Sequence, residues 1–363
     1  MTPHPPLAAF GRAGAGCDPV FVPAGHIHDT WLAGDLVVQR LNGRVFPDPV
    51  AVVEGVVRIT HHLHQRLEAE GWAAGERARR ALTPVAAAGG GYAHVDGAGD
   101  VWRAFVRIRG ATAPLVVGGP AQARAVGLAL GRFLAHVGDL PGPPPAPAIP
   151  GFKDFGARRR AFEDVVAADP LGRAGGAAAE IGGVRRHHGL VDRLEAATAA
   201  GDLPPRLVHN DAKASNVLLD DGSGDGLCVI DLDTVAPGTV LFDAGDLLRS
   251  TAVAAPEDAG GGTGAGGARP FRPVRPEVAA AALEGWLAGA GDLVTAGERA
   301  LLPLAGPLMA YEAALRFLAD HLGGDRYFRI EGPGHNLRRC RAQLAVLAAL
   351  AAAAPLVAGV ADP

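Results

Sequence analysis

Leu207-Val208-His209-Asn210-Asp211-Ala212-Lys213-Ala214-Ser215-Asn216-Val217-Leu218-Leu219-Asp220 is followed, after a short polar loop, by Leu227-Cys228-Val229-Ile230-Asp231. The loop itself, Asp221-Gly222-Ser223-Gly224-Asp225-Gly226, consists of residues that favour turns. Residues 217–220 and 227–230 are therefore expected to pair as an antiparallel hairpin. With Asp220 opposite Leu227, Asn216 falls opposite Asp231. The hairpin then carries an amide oxygen and a carboxylate to one end of a single ladder, and Asp211 lies in the loop that leads into that end. Hard oxygen donors of this kind suit a Mg²⁺–nucleotide site, whereas zinc favours His and Cys.

The spacing sharpens the expectation. His209-x-Asp211-x-x-x-x-Asn216, followed by Asp231 at the end of an apolar strand, is the arrangement of a kinase catalytic loop. In that template Asp211 accepts the proton of the attacking hydroxyl. Asn216 and Asp231 hold Mg²⁺ against the phosphates of ATP, and Lys213 places positive charge on the transferring phosphoryl group. The competing reading is an ordinary hairpin with polar ends. A fixed Asn, two flanking apolar strands and the second Asp together favour phosphotransfer. The presence of all three of Asp211, Asn216 and Asp231 weighs against a non-catalytic, nucleotide-binding pseudokinase.

Composition narrows the remaining classes. The 363 residues exceed one typical core, which points to two lobes, and 48% hydrophobic residues are enough to fill them. A net charge of −4 without a long basic run argues against nucleic acid as a partner. Cys17, Cys228 and Cys340 are far apart and odd in number, so no disulfide framework is expected and a reducing, cytoplasmic setting fits. The Pro- and Ala-rich N-terminus lacks an apolar signal core. Residues 344–354 are Ala-dominated and end at Pro355, which reads as a packed helix and not a membrane span.

The residues also carry a resemblance. His209–Asp220 taken residue by residue, then Cys228-Val229-Ile230-Asp231-Leu232-Asp233-Thr234-Val235-Ala236-Pro237-Gly238 and Phe242-Asp243-Ala244-Gly245-Asp246, resemble the aminoglycoside phosphotransferase and choline kinase superfamily. Within it the chain is most similar to the N-acetylhexosamine 1-kinases. The similarity runs from Gly25 to about Leu347 and includes residues 25–30, 38–42, 315–320 and 333–337. It implies an α+β, bilobal, protein-kinase-like fold with a small antiparallel-sheet N-lobe and a larger, mainly helical C-lobe. It also implies ATP and Mg²⁺, a small-molecule sugar acceptor, and no nucleic-acid or membrane partner. Other acceptors of the superfamily are another sugar, an amino alcohol or an aminoglycoside.

Along the chain, residues 1–19 are expected to be a flexible tail, 20–108 the N-lobe and 109–363 the C-lobe. Residues 20–23 read as a strand. Residues 30–42 read as strand, Gly34-Asp35 turn and strand, and Arg40 takes the place of the strand lysine of protein kinases. The stripe Val53, Val57, Leu63, Leu67 marks a helix over 49–71. Glu54 on its first turns is the expected partner of Arg40, and both are assigned to the nucleotide side. Alternation marks a strand at 101–108, with a hinge near 107–110. Residues 120–137 read as a helix, 138–150 as a Pro-rich connector, 152–200 as broken helices and 276–354 as helices. The glycine-rich stretch 260–268 reads as a mobile loop.

Further roles follow only from the resemblance. It assigns His26, Arg316 and Tyr327, together with Asp211, to the hexosamine. The family pattern has Asn where this chain has His28. An Asp at the position of Asp243 braces the catalytic loop, and Asp246 is assigned a supporting role. Asp233 is passed over as a metal ligand because Asp231 ends the strand directly. His61 and His64 share a helix side, but no third ligand is spaced to join them, so exposed histidines are expected.

Overall fold

The computed structural model describes residues 4–11, 18–23, 27–253 and 274–362. In chain order the elements are β1 (Val20–Val22), β2 (Asp29–Ala33), β3 (Leu36–Arg40), α1 (Pro49–Ala69), α2 (Ala74–Arg80), β4 (Pro84–Val85), β5 (His94–Val95), β6 (Val101–Val106), β7 (Ala111–Thr112), α3 (Pro120–Val137), α4 (Phe155–Ala168), α5 (Ala178–Arg185) and α6 (Gly189–Ala200). They continue with β8 (Arg206–Val208), β9 (Val217–Asp220), β10 (Gly226–Val229), β11 (Ala236–Gly238), α7 (Val240–Ala252), α8 (Pro276–Ala290), α9 (Ala296–Gly323), α10 (His335–Ala352) and α11 (Ala354–Ala361).

The N-terminal sheet runs β1-β2-β3-β6-β4, with β5 also on β6, and its pairings are antiparallel. Alternation sends Trp31, Leu36, Val38, Trp102 and Ala104 to one face, where they form a small core with Phe10 and Ala87. Phe10 comes from a 3₁₀ turn at Leu7–Phe10 and is buried. The expected flexible tail over 1–19 is thus corrected for this part: an aromatic anchor covers the outer face of the sheet. Residues 1–3 and 12–17 lie outside the described residues, as does the stretch 260–268.

Helix α1 starts where its sequence says it should. The Asp48 carboxylate accepts from the Ala51 amide and Pro49 occupies the first turn. Its inner residues Val56, Ile59, Leu63 and Leu67 belong to the large core shared with the C-terminal helices, not to the small core of the sheet. The Pro-rich connector crosses over this helix. The Arg58 guanidinium donates to the carbonyls of Pro141 and Pro143, and Ala148 and Ile149 pack with Leu41, Phe46, Val52 and Val53.

Within the large lobe, α3 and α8 lie unusually close. A Cβ on Gly131 would stand 2.1 Å from the Trp286 carbonyl oxygen, and one on Gly285 would stand 2.2 Å from that of Arg124. Gly127 and Gly289 meet the opposite backbone in the same way. Helix α9 is the one described helix long and apolar enough to cross a membrane by length and composition, and 78% of the qualifying window is buried inside the structure.

The two lobes join through β6 and β7. The Arg107 amide donates to Asp35 O, and the Asp221 amide donates to Gly110 O at 2.9 Å. These backbone groups of the expected hinge are therefore already engaged. Strand β7 then pairs with β9, which ties the crossover to the β9–β10 hairpin.

That hairpin differs from expectation by one residue. Val217 faces Val229 and Leu218 faces Cys228, with an irregularity between Gly226 and Cys228. The Ile230 amide donates to Asn216 O at 2.9 Å, so Asn216 sits against Ile230 and Asp231 lies one step further on. A bulge at Leu227 absorbs the extra residue.

Candidate active site

The loop between β8 and β9 is held from beneath by one carboxylate. Asp243, at the start of α7, accepts the amides of His209 (2.9 Å) and Asn210 (2.8 Å). Burial raises the Asp243 carboxyl's pKa, opposed by His209 and by these amides. Asn210 has φ 63°, and its side-chain amide donates to the carbonyls of Thr234 and Ala236. The buried His209 ring reaches Ile230 O at 3.0 Å and packs edge-on against Phe133. The chain turns sharply here and presents Asp211 to the cleft.

Asp211, Lys213 and Asn216 are brought together. Lys213 Nζ lies 3.0 Å from Asp211 Oδ2. Asn216 Nδ2 donates to Asp211 O at 2.8 Å and to Asp211 Oδ2 at 3.1 Å. Those bonds use the nitrogen of the amide and orient its oxygen as the ligand-type atom. Asp231 has φ 62° and opens the 3₁₀ turn Leu232–Thr234. Its side chain is open to solvent although protein surrounds it, as on a cleft floor. Desolvation there, then the charges of Asp233 and Asp211, raise its carboxyl's pKa, partly offset by His28 and Lys213. Two carboxylates and an amide oxygen at such a place form a hard-donor set that favours a cation, so the residues fit a divalent ion of the magnesium kind.

The expected Arg40–Glu54 pair is corrected. Arg40 shares the outer face of the sheet with Trp31 and Trp102 and pairs with Asp29 (2.5 Å) and Asp100 (2.9 Å). Glu54 is solvent-exposed on α1. The opposite face carries Gln39 and Arg103, which are cross-strand partners. Arg103 grips Asp233 with both terminal nitrogens, and His28 Nε2 lies 2.7 Å from the same carboxylate. Burial alone would raise the Asp233 pKa, but Arg103 and His28 bring it below the ordinary carboxylate range. Sequence reasoning missed Arg103, and a signal for it existed. An arginine inside the otherwise apolar run 101–106 calls for an acid partner if it is buried, and Asp233, flanked by Leu232 and close to Val235, is one of the acids in the segment after the hairpin.

Arg316 and Tyr327 also meet. The Arg316 guanidinium stands 5.3 Å from the Tyr327 ring centroid and 5.1 Å from that of Phe328. With Arg158, Phe162 and Asp320 they line a cavity of about 200 Å³. Glu312 pairs with Arg158 (3.4 Å) and Arg316 (3.5 Å) and lies beneath them. Asp320 accepts the amides of Arg326, Tyr327 and Phe328, so it anchors that turn. His335 does likewise for the Glu331 amide. Asp246 is engaged by Lys153 (3.0 Å) and Arg249 (2.9 Å). His61 meets Tyr92, and His64 reaches Leu82 O. His26 lies outside the described residues.

A two-lobed fold with an Asp-x-Lys-x-x-Asn loop beside a strand-ending Asp defines a phosphotransferase of kinase-like architecture. The family model of APH, described as the phosphotransferase enzyme family, matches residues 20–288, and the chain belongs to that family. Solved structures share the fold at low identity. An aminoglycoside phosphotransferase from Alicyclobacillus acidocaldarius superposes with a TM-score of 0.56 at 14% identity, covering 98% of this chain and 97% of that one. The amicoumacin kinase hAmiN, in complex with AMP-PNP, Ca²⁺ and Ami, gives 0.60 at 13% identity over 94% and 91%. A microcompartment-associated aminopropanol kinase gives 0.60 at 15% identity over 94% and 93%.

Proposed function

We propose that this phosphotransferase is an ATP- and Mg²⁺-dependent small-molecule kinase acting on the anomeric hydroxyl of an N-acetylhexosamine, giving the 1-phosphate and ADP. The observation that carries the phosphotransfer chemistry is the Asp211–Lys213–Asn216 cluster beside Asp231. In this reading Asp211 orients the acceptor hydroxyl and takes its proton. Lys213 moves its charge from Asp211 to the transferring phosphoryl group as the substrates enter. Asn216 and Asp231 hold the metal, which supplies charge neutralisation at the phosphate oxygens when bound. Position and charge, rather than covalent work by the protein, account for the acceleration.

The acceptor assignment rests on the resemblance and on the Arg316–Tyr327 cavity. An aromatic wall with two guanidiniums, balanced by Glu312 beneath them and by Asp320, which is already bonded to three backbone amides, leaves no surplus negative charge and suits a neutral, hydroxyl-rich ring. It disfavours a polycationic aminoglycoside, which needs surplus carboxylates. ADP release measured with hexosamines, hexoses, choline and aminoglycosides, with ³¹P NMR of the product, tests the reading. Turnover highest with N-acetylglucosamine or N-acetylgalactosamine and an anomeric phosphate signal are expected. Turnover confined to amino alcohols or aminoglycosides overturns it.

A further inference from the structure

Asp233 is a carboxylate that stands two residues after the metal-type Asp231, and its own partners come from the N-terminal sheet and its loops. Both of its oxygens are taken. Arg103 Nη1 donates to Oδ1, and Oδ2 accepts from Arg103 Nη2 at 2.9 Å and from His28 Nε2 at 2.7 Å. Asp233, Arg103 and His28 are all buried. The donors are themselves fixed from behind. Arg103 Nε donates to Gln39 Oε1 at 3.0 Å, and Gln39 Nε2 donates to Thr30 Oγ1 at 3.2 Å. The Asn42 amide donates to His28 Nδ1 at 3.1 Å, which makes Nε2 the protonated nitrogen facing Asp233. The imidazole also stacks on Phe46 at 5.1 Å. Every one of these partners belongs to the N-terminal sheet or its immediate loops, while Asp233 belongs to the large lobe.

The other end of the same turn is tied to the catalytic loop. Thr234 Oγ1 donates to His209 O at 2.8 Å, and Asn210 Nδ2 donates to Thr234 O at 3.0 Å. The turn Leu232–Thr234 is thus held from the small lobe through Asp233 and from the catalytic loop through Thr234. Asp231, directly before it, keeps a left-handed backbone that a non-glycine residue holds only when its neighbours impose it.

We propose that Asp233 is a positioning residue. Clamped by Arg103 and His28, it holds the turn that aims the Asp231 carboxylate, so that the metal site forms only when the sheet is docked on the large lobe. This rests on the kinase reading given above, with Asp231 as metal ligand. In this arrangement Arg103, not Arg40, is the cation of the sheet that organises the site, and it acts on the protein rather than on phosphate.

Nucleotide affinity by titration calorimetry, with and without Mg²⁺, tests the proposal. A buried arginine left alone can unfold the chain, so the main variant removes both charges: Asp233→Asn with Arg103→Gln. Its ATP affinity in Mg²⁺ is expected to fall at least about tenfold, with metal-free ATP affinity held within about twofold. Equal losses in both conditions, or no loss in either, overturn the proposal. Arg103→Gln alone is expected to weaken Mg²⁺-dependent binding as well; tighter binding would mean that Asp233 is itself a metal ligand. If the double variant unfolds in circular dichroism, His28→Leu, which keeps both charges but cannot donate to Asp233, serves in its place. About threefold weaker Mg²⁺-dependent binding is expected there, and an unchanged value counts against the clamp. Asp231→Ala run in parallel separates the two readings. If it too leaves metal-dependent binding intact, the kinase assignment of the site fails; a loss there beside an intact clamp variant sinks the clamp alone.

Discussion

Asp211 follows a residue whose backbone is left-handed, and that conformation is secured by the Asp243 carboxylate on two successive amides. The backbone of the loop is therefore held from beneath by Asp243, independently of the Asp211 side chain, to which the proposed function gives the role of base. Asp211→Asn should keep the fold and nucleotide binding. Turnover should drop about a thousandfold or more, corresponding to about 4 kcal/mol of barrier. Single-turnover kinetics with the best acceptor of the panel measures this; full activity removes Asp211 from the role of base. At this scale Asp211, Lys213, Asn216 and Asp231 were legible because their spacing along the chain is itself the constraint. Arg103 and Asp233 were not, since 130 residues separate them and only the phase of a strand says which arginine faces inward. Arg40 and Arg103 look alike in the sequence. The aromatic cover provided by Phe10, Trp31 and Trp102 makes the face of Arg40 the outer one.

Among elements, the most exacting contact is the glycine-lined crossing of α3 and α8. Backbone meets backbone there, so no side chain can yield to make room. Gly131→Ala should destabilise the protein by about 2 kcal/mol or more, because the added methyl forces the helices apart. Gly55, in the interior of α1, has open space where a Cβ would go. Gly55→Ala should instead stabilise by about 0.5–1 kcal/mol through helix propensity alone. Urea unfolding of both variants tests the contrast, and a neutral Gly131→Ala would show that the crossing can relax. The helices themselves were readable: α1 and α3 start at prolines and follow apolar stripes. That α3 pairs with α8 was not readable, because abundant glycine in the composition hides the few positions where it is required. The hairpin register failed for a similar reason. Turn residues announced the loop, but a bulge at its edge costs no recognisable residue type.

For the molecule as a whole, one polar network joins helices far apart in sequence. Glu163 of α4 accepts from Arg185 of α5 (Nη2 at 2.5 Å) and lies 3.0 Å from Nε2 of His188. His188 Nδ1 lies 2.9 Å from the hydroxyl of Tyr311 on α9. The Arg185 hydrogen bond is the main cause that brings the Glu163 pKa to about 2 from its ordinary 4.5. A depressed carboxylate stabilises the fold above its unfolded pKa and stops doing so as pH falls through the folded one. The Glu163–Arg185 contribution should thus be complete near neutral pH and vanish between about pH 4.5 and pH 2. Both side chains are more than a third exposed, so solvent screening reduces the effect to about 1 kcal/mol. Urea unfolding of Glu163→Gln should show that deficit near neutrality and converge with the parent protein at about pH 2. A deficit unchanged across this range would assign the effect to packing.

Chain length, strand alternation and the order of elements suggest a division at about residue 108. Where α1 packs is not legible in the same way. Its apolar stripe lies in the core of the helical lobe, and Arg58 holds the carbonyls of Pro141 and Pro143 against it. The helix is therefore rooted in the larger core although its sequence neighbours belong to the smaller one, and through Val52 and Val53 it also packs on Leu41 and Phe46. It works as a keystone: a change to its inner face is felt on both sides of the cleft at once.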